Sequence, residues 1–390
     1  MSVAAPRMPS PLARWATPLW RRWSLAGQAR PSTYVLLLAT VGVLNVVGVV
    51  MVLSASSVAS LTNYGSAWYF FERQVLWTAL GMLVFAVTAR IDYHAWRRWV
   101  IPMLIVSTCL LVLVLVPGIG VYVAGSRRWL GSGSWRFQPT EPAKLALLVF
   151  VADVLTRRAR EVHEWRRVVR PVLLVFGLFA VLVMRQPDMD STIVLALIVG
   201  TVLVVGGVRF RHLATLGGAG LSLAALAAVI EPYRRARVFS YLHPWSDAGN
   251  TGYQLSQSLI ALGSGGWTGV GLGAGRAKWL FLPNAHTDFI FAIIGEEVGL
   301  LGCLLVVGLF AAFGVLGTRI ALRAPDCFGT LLAAGVTVWV VGQAVINIGG
   351  VVGLLPVSGI PLPFVSFGGS ALVFTMAAAG LLGSVARRAS

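Results

Sequence analysis

Ten apolar runs, beginning near residues 33, 74, 99, 142, 171, 191, 213, 288, 329 and 367, leave this chain few ways to fold. They extend for 14 to about 30 residues, and most are long enough as helices to cross a hydrocarbon layer roughly 30 Å thick. Only 12% of the 390 residues are charged, against roughly 25% in soluble domains, and the mean hydropathy is +0.81. A soluble globular protein is excluded. The expected fold is an all-α polytopic membrane protein with about ten transmembrane helices. The shortest span, between Arg170 and Arg185, is about 21 Å long as a helix and needs flanking side chains that snorkel.

A net charge of +17 invites a nucleic-acid reading, but distribution decides. With a cytoplasmic N-terminus, 20 of the 31 Lys and Arg fall inside and 11 outside, so the positive-inside rule puts both termini in the cytoplasm. The arginine-rich segment from Arg157 to Arg170 also holds Glu161 and Glu164 and joins two spans. A cytoplasmic loop explains its charges without nucleic acid. Residues 1–32 read as a cytoplasmic tail before an uncleaved anchor, 33–386 as a single transmembrane domain, and 387–390 as a cytoplasmic C-terminus. Residues 231–286, between the seventh and eighth spans, form an extracytoplasmic loop too long for a mere connector, where function is expected to concentrate. Cys109, Cys303 and Cys327 show no disulfide or metal spacing.

Charges near or within spans are costly, which makes them functional candidates. Asp92, Glu161, Glu164 and Asp326 fall in cytoplasmic loops, and Asp153 is spaced to pair with Arg157. At the outer side, Gln138 to Lys144 reads as a helix start, with Thr140 as cap and Pro142 in the first turn. Glu141 and Lys144 then share one face. Lys144 opposes the helix dipole and needs an acidic partner, for which Asp188 at the start of the sixth span is a candidate. Asp188-Met189-Asp190 also matches the metal-holding Asp-x-Asp of soluble glycosyltransferases, but no nucleotide-binding α/β domain accompanies it. Asp288 opens the eighth span directly after the large loop, as a positioned carboxylate or a helix cap, with His286 a second possible base. Glu296 and Glu297, roughly 12 to 14 Å deeper, fit structural roles. Seven glycines between Gly263 and Gly275 read as a flexible loop rather than a P-loop. The basic residues around it, Arg276 and Lys278 with Arg234, Arg235 and Arg237, are candidate phosphate ligands.

Motifs are distributed along most of the chain: Ser126-Arg127-Arg128-Trp129-Leu130, Gln138 through Lys144, Gln186-Pro187-Asp188 and Tyr253-Gln254-Leu255-Ser256-Gln257-Ser258. To these add Leu282 through Phe291 with Gly295-Glu296-Glu297, Asn347 through Pro356, Gly359, Pro363 and Ser366 through Ser370. Together they resemble the SEDS family of bacterial envelope growth, which includes FtsW, RodA and SpoVE. The Tyr253–Ser258 and Ala285–Glu297 runs are more like FtsW than RodA. Departures from the family pattern occur at Phe367, Asp190 and Pro142.

The resemblance implies a peptidoglycan glycosyltransferase of the bacterial cytoplasmic membrane, polymerising lipid II at its outer face in cell division. Asp288 matches the family's essential aspartate, and Lys144 with Asp188 a salt-bridge pair that shapes the cavity. Glu141, Arg128, Arg73, Gln257, His286 and Ser366 join them as cavity residues. The partners implied are lipid II and the growing glycan, a class B penicillin-binding protein as transpeptidase, and other divisome membrane proteins. No cofactor is evident, and a divalent cation on the diphosphate is chemically reasonable. A lipid II flippase would share the cavity without needing a base, and a scaffold would need none of its charges.

Overall fold

The computed structural model describes residues 33–389 apart from 124–125, 132–135, 163, 210, 216, 219, 221–240, 242–243, 247–248 and 250–251. Its helices are α1 (Thr33–Tyr64), α2 (Tyr69–Arg90), α3 (Val100–Leu113), α4 (Thr140–Arg157), α5 (Arg170–Met184), α6 (Met189–Val205), α7 (Tyr253–Gly265), α8 (Ile290–Arg323), α9 (Cys327–Val351) and α10 (Gly369–Arg388). Seven spans are long and apolar enough to cross a membrane: α1, α2, α3 with the 3-10 turn Tyr93–Trp99 before it, α5 with the π turn Trp165–Val169 before it, α8, α9 and α10. The more polar α4 and the shorter α6 account for two further expected spans. The one beginning near residue 213 lies mostly outside the described residues, as do Glu231, Asp247, Arg234, Arg235 and Arg237.

Two expectations about helices change. The span expected between Arg170 and Arg185 runs from Trp165 to Met184, 20 residues or about 30 Å, and its first turns carry Arg166, Arg167 and Arg170, the flanking side chains that snorkel. Pro171 has no N–H to give to the preceding turn, which opens into the wider π geometry and carries the helix further. The expected loop 231–286 contains α7, packed against α8 and α9. Between α3 and α4 the chain forms an antiparallel hairpin of β1 (Val121–Val123) and β2 (Ser126–Trp129), with Tyr122 opposite Arg127.

The centre of the bundle is α4, which packs against α3, α5, α6, α9 and α10 and buries Glu141, Lys144 and Asp153. Lipid never meets these charges, which is how a helix with four ionisable groups persists in an apolar setting. Asp153 pairs with Arg157 as its spacing predicts, and also with Arg97, both at 2.7 Å. α10 lies along α2, where a Cβ on Gly380 would come within 1.9 Å of the Thr88 hydroxyl, so only glycine permits the approach. At the opposite end Asp92 and Asp326 are not merely solvated. His94 bridges them at 2.9 and 2.6 Å, and Asp326 also caps α9 by accepting from the Gly329 N–H at 2.8 Å.

α8 is broken once, at Gly299, whose φ of 74° and ψ of −166° interrupt the hydrogen-bond ladder. The glycine-rich segment after α7 takes up what the break releases. The Val270 and Gly271 N–H groups donate to the Glu296 and Glu297 carbonyls (3.0 and 3.1 Å), and the Leu300 and Leu301 N–H groups to the Gly266 and Trp267 carbonyls (2.9 and 3.2 Å). The Glu296 carboxylate accepts from the Arg276 and Ala277 N–H groups, and that of Glu297 from Gly273 N–H, Ser54 and Lys278. The segment is thus a fixed tie and not the expected flexible loop, because a chain without side chains can lie against helix backbone and reach its open groups. Lys278 is 6% exposed and committed to Glu297 at 2.9 Å, which removes it from the phosphate ligands.

Candidate active site

At the end assigned to the outside by the basic residues, the starts of α4, α6, α8 and α10 converge. α4 begins at Thr140 with Pro142 in its first turn, as read from the sequence. Thr140 does not cap it, however: Pro139 holds that position, and the buried Thr140 hydroxyl has no hydrogen-bond partner among the described residues. Glu141 and Lys144 bond at 2.9 Å, both buried, and the ammonium also reaches the Gln343 carbonyl oxygen at 3.3 Å and lies 5.1 Å from the Trp339 ring.

The expected Lys144–Asp188 bridge is not formed. Asp188 caps α6 instead, accepting from the Ser191 N–H (3.1 Å) and hydroxyl (2.7 Å), while Gln138 donates to it at 3.2 Å and Arg128 stands 3.8 Å away. Two acids were available to Lys144, and the one three residues away on its own helix needs no second helix to be brought up. Arg128 further donates to the Gln186 carbonyl at 3.1 Å and to that of Pro187, clamping the approach to α6.

Asp288 lies half-buried in the turn before α8, which starts at Ile290 with Phe289 at its cap position and no side-chain cap. The cap position thus falls one residue after Asp288. The turn is fixed through its backbone: the His286 carbonyl accepts from Phe367 N–H (3.0 Å), that of Thr287 from the Ser366 hydroxyl (2.5 Å) and that of Asp288 from the Asn347 amide (2.8 Å). The His286 ring packs with Phe70 and Phe367, centroids 4.5 and 5.9 Å apart. Three residues beyond Phe70 on α2, Arg73 stacks over Tyr69 at 3.4 Å and donates to its carbonyl. Gln257 sits half-buried on α7, and no described contact joins it to Asp288.

Two polar side chains that sequence reasoning left without a role, Gln343 and Asn347, stand one turn apart on the buried α9. Gln343 donates to the Pro361 carbonyl at 2.9 Å and Asn347 to that of Ile360 at 2.8 Å. Their spacing, four residues within an apolar span, was the signal that could have found them. Among the described residues no group of three or more His, Cys, Asp or Glu is arranged to hold a metal.

The family profile described as "Cell cycle protein", covering FtsW, RodA and SpoVE, matches residues 34–390. The chain belongs to the FtsW/RodA/SpoVE family. It is 41% identical over 345 residues to Stage V sporulation protein E of Bacillus subtilis, covering 87% of this chain and 93% of that one. It is 43% identical over 359 residues to the probable peptidoglycan glycosyltransferase FtsW of Mycobacterium bovis, covering 92% and 68%. Among solved structures, a chain from a peptidoglycan synthase complex that coordinates polymerization and crosslinking is 30% identical, with a TM-score of 0.72 over 90% of this chain and 97% of that one. The rod shape determining protein RodA of Thermus thermophilus is 29% identical, with a TM-score of 0.64 over 90% and 95%. The expected family is borne out, and with it a multi-pass protein of the bacterial cytoplasmic membrane.

Proposed function

We propose that this protein is a peptidoglycan glycosyltransferase that polymerises lipid II at the outer face of the membrane, with Asp288 as general base. Relatives named as probable peptidoglycan glycosyltransferases support the activity. The observation that carries the residue assignment is a half-buried carboxylate in a turn bonded through three successive carbonyls, at the end of the bundle where α4, α6 and α10 also begin. In the proposed reaction the 4-hydroxyl of the acceptor GlcNAc attacks C1 of the donor MurNAc. The new O4–C1 bond forms as the C1–O bond to undecaprenyl diphosphate breaks, with inversion, and the hydroxyl proton passes to Asp288. Arginines at this end, Arg73 and Arg128 among them, counter the charge on the departing diphosphate, and a divalent cation can accompany it. Lys144, neutralised by Glu141, shapes the cavity wall without contributing a free charge.

A lipid-linked donor is drawn from the bilayer, so the site needs a groove between helix ends and no nucleotide-binding domain. Crosslinking of the product falls to a separate class B penicillin-binding protein, a partnership supported by the similarity to a synthase complex chain. We take the docking surface to lie on α8, which presents Leu300, Leu301, Leu304 and Leu305 outward, whereas α9 is buried along most of its length.

The test is lipid II polymerisation by purified Asp288→Asn, normalised to folded protein. The amide keeps the shape and loses proton acceptance, so turnover is expected to fall at least roughly 10²-fold. Wild-type turnover would sink the assignment and move it to His286 or Glu141.

A further inference from the structure

Asp288 lies in the turn before α8, where Phe289 holds the cap position, and the backbone of that turn is gripped from two other segments. Two of the three carbonyls of the turn are held by Ser366 and Phe367, from the segment between α9 and α10. The third, that of Asp288 itself, is held by Asn347, a side chain only 1% exposed. The same Asn347 nitrogen donates to the Ile360 carbonyl at 2.8 Å, and since an amide carries two hydrogens, both bonds at 2.8 Å are full ones. One turn earlier, Gln343 holds the next carbonyl, Pro361, while its oxygen accepts from Lys144. Ser366 closes the arrangement by accepting from the Leu362 N–H at 2.9 Å.

We propose that Asn347 is a positioning residue for Asp288, its amide fixing the 286–288 turn against the 360–366 segment so that the carboxylate stands where the acceptor hydroxyl arrives. This rests on Asp288 acting as the base. The physical case is the rigidity of a buried, two-pronged hydrogen bond on a long helix, in contrast to a loop that only its own short contacts would hold. It also gives Lys144 a second consequence. Through Gln343 the Glu141–Lys144 pair is joined to the Pro361 carbonyl, next along the chain from the Ile360 carbonyl that Asn347 grips, so α4 and the Asp288 turn share one hydrogen-bonded frame. A base displaced by about 1 Å loses up to roughly 10²-fold in rate, with substrate contacts elsewhere unchanged.

A double-mutant cycle on the purified full-length protein tests this, with lipid II polymerisation as the readout. Asn347→Ala is expected to lower kcat roughly 10- to 10²-fold while KM stays within about threefold. In an Asp288→Asn background the same change is expected to cost less than about twofold, because the group it positions no longer accepts a proton. Equal losses in both backgrounds, or a raised KM at unchanged kcat, overturn the positioning role and leave the Asp288 assignment standing. Wild-type turnover of Asp288→Asn alone overturns both. If Asn347→Ala does not yield folded protein, Ser366→Ala, which deletes one atom and the neighbouring grip on Thr287, goes through the same cycle against Asp288→Asn, and equal losses there overturn the proposal.

Discussion

His286, two residues before the proposed base, shows how surroundings set the character of a side chain at this site. Burial beside Phe70 and Phe367 pushes its pKa from 6.5 down to about 4, so at neutral pH it offers an uncharged ring and no cation. The unfolded chain takes up this proton near 6.5 and the folded protein only near 4. Between those values the unfolded state binds more protons, so this stabilisation is complete above about 6.5 and declines as pH falls toward 4. Thermal unfolding midpoints followed across that window should fall more steeply for the native protein than for His286→Gln, which cannot titrate. Parallel curves would remove the assignment. The partners of Lys144 illustrate what sequence leaves open at this scale. Spacing put Glu141 on its face and motif placed Asp188 near, but the choice between them turns on Asp188 being occupied as the cap of α6.

Elements built on long apolar runs were legible, because a span announces itself by length and composition alone. α7 was not, since its Tyr253–Ser258 run is rich in Gln and Ser, and its burial comes from α8 and α9 rather than from lipid. The tie at the break in α8 was hidden for another reason: seven glycines carry no side-chain pattern, and the partners of this segment's backbone lie 24 to 34 residues onward in the chain. Inside it, Lys278 and Glu297 form an ion pair with side chains 5% and 0% exposed. Removing one charge strands the other, so Glu297→Gln should destabilise the protein by about 3–5 kcal/mol. Adding Lys278→Met should return part of that loss. Denaturation of the two variants in one detergent checks this, and an Lys278→Met/Glu297→Gln protein no more stable than Glu297→Gln would refute the pairing as the cause.

For the whole molecule, the sidedness read from basic residues has a direct check. Ala248, in the large loop, lies outside the described residues, but Tyr122 on the hairpin is 67% exposed and belongs to the same outer end. Tyr122→Cys, in a background whose native cysteines are serine, should react with an impermeant thiol reagent in intact cells whose outer layers admit it. Native Cys327, exposed at the other end, should react only after lysis. The reverse pattern would invert the topology. The tie in α8 also bears on how the chain is made. Ser54 and Lys278, which receive the Glu297 carboxylate, and the amides of 276–277, which receive Glu296, all precede those acids in sequence. Synthesis from the N-terminus therefore presents each carboxylate to partners already in place, and the two acids deepest in α8 need never enter lipid as bare charges. Moving these partners downstream of α8 would keep every contact of the finished protein and lose that protection during insertion.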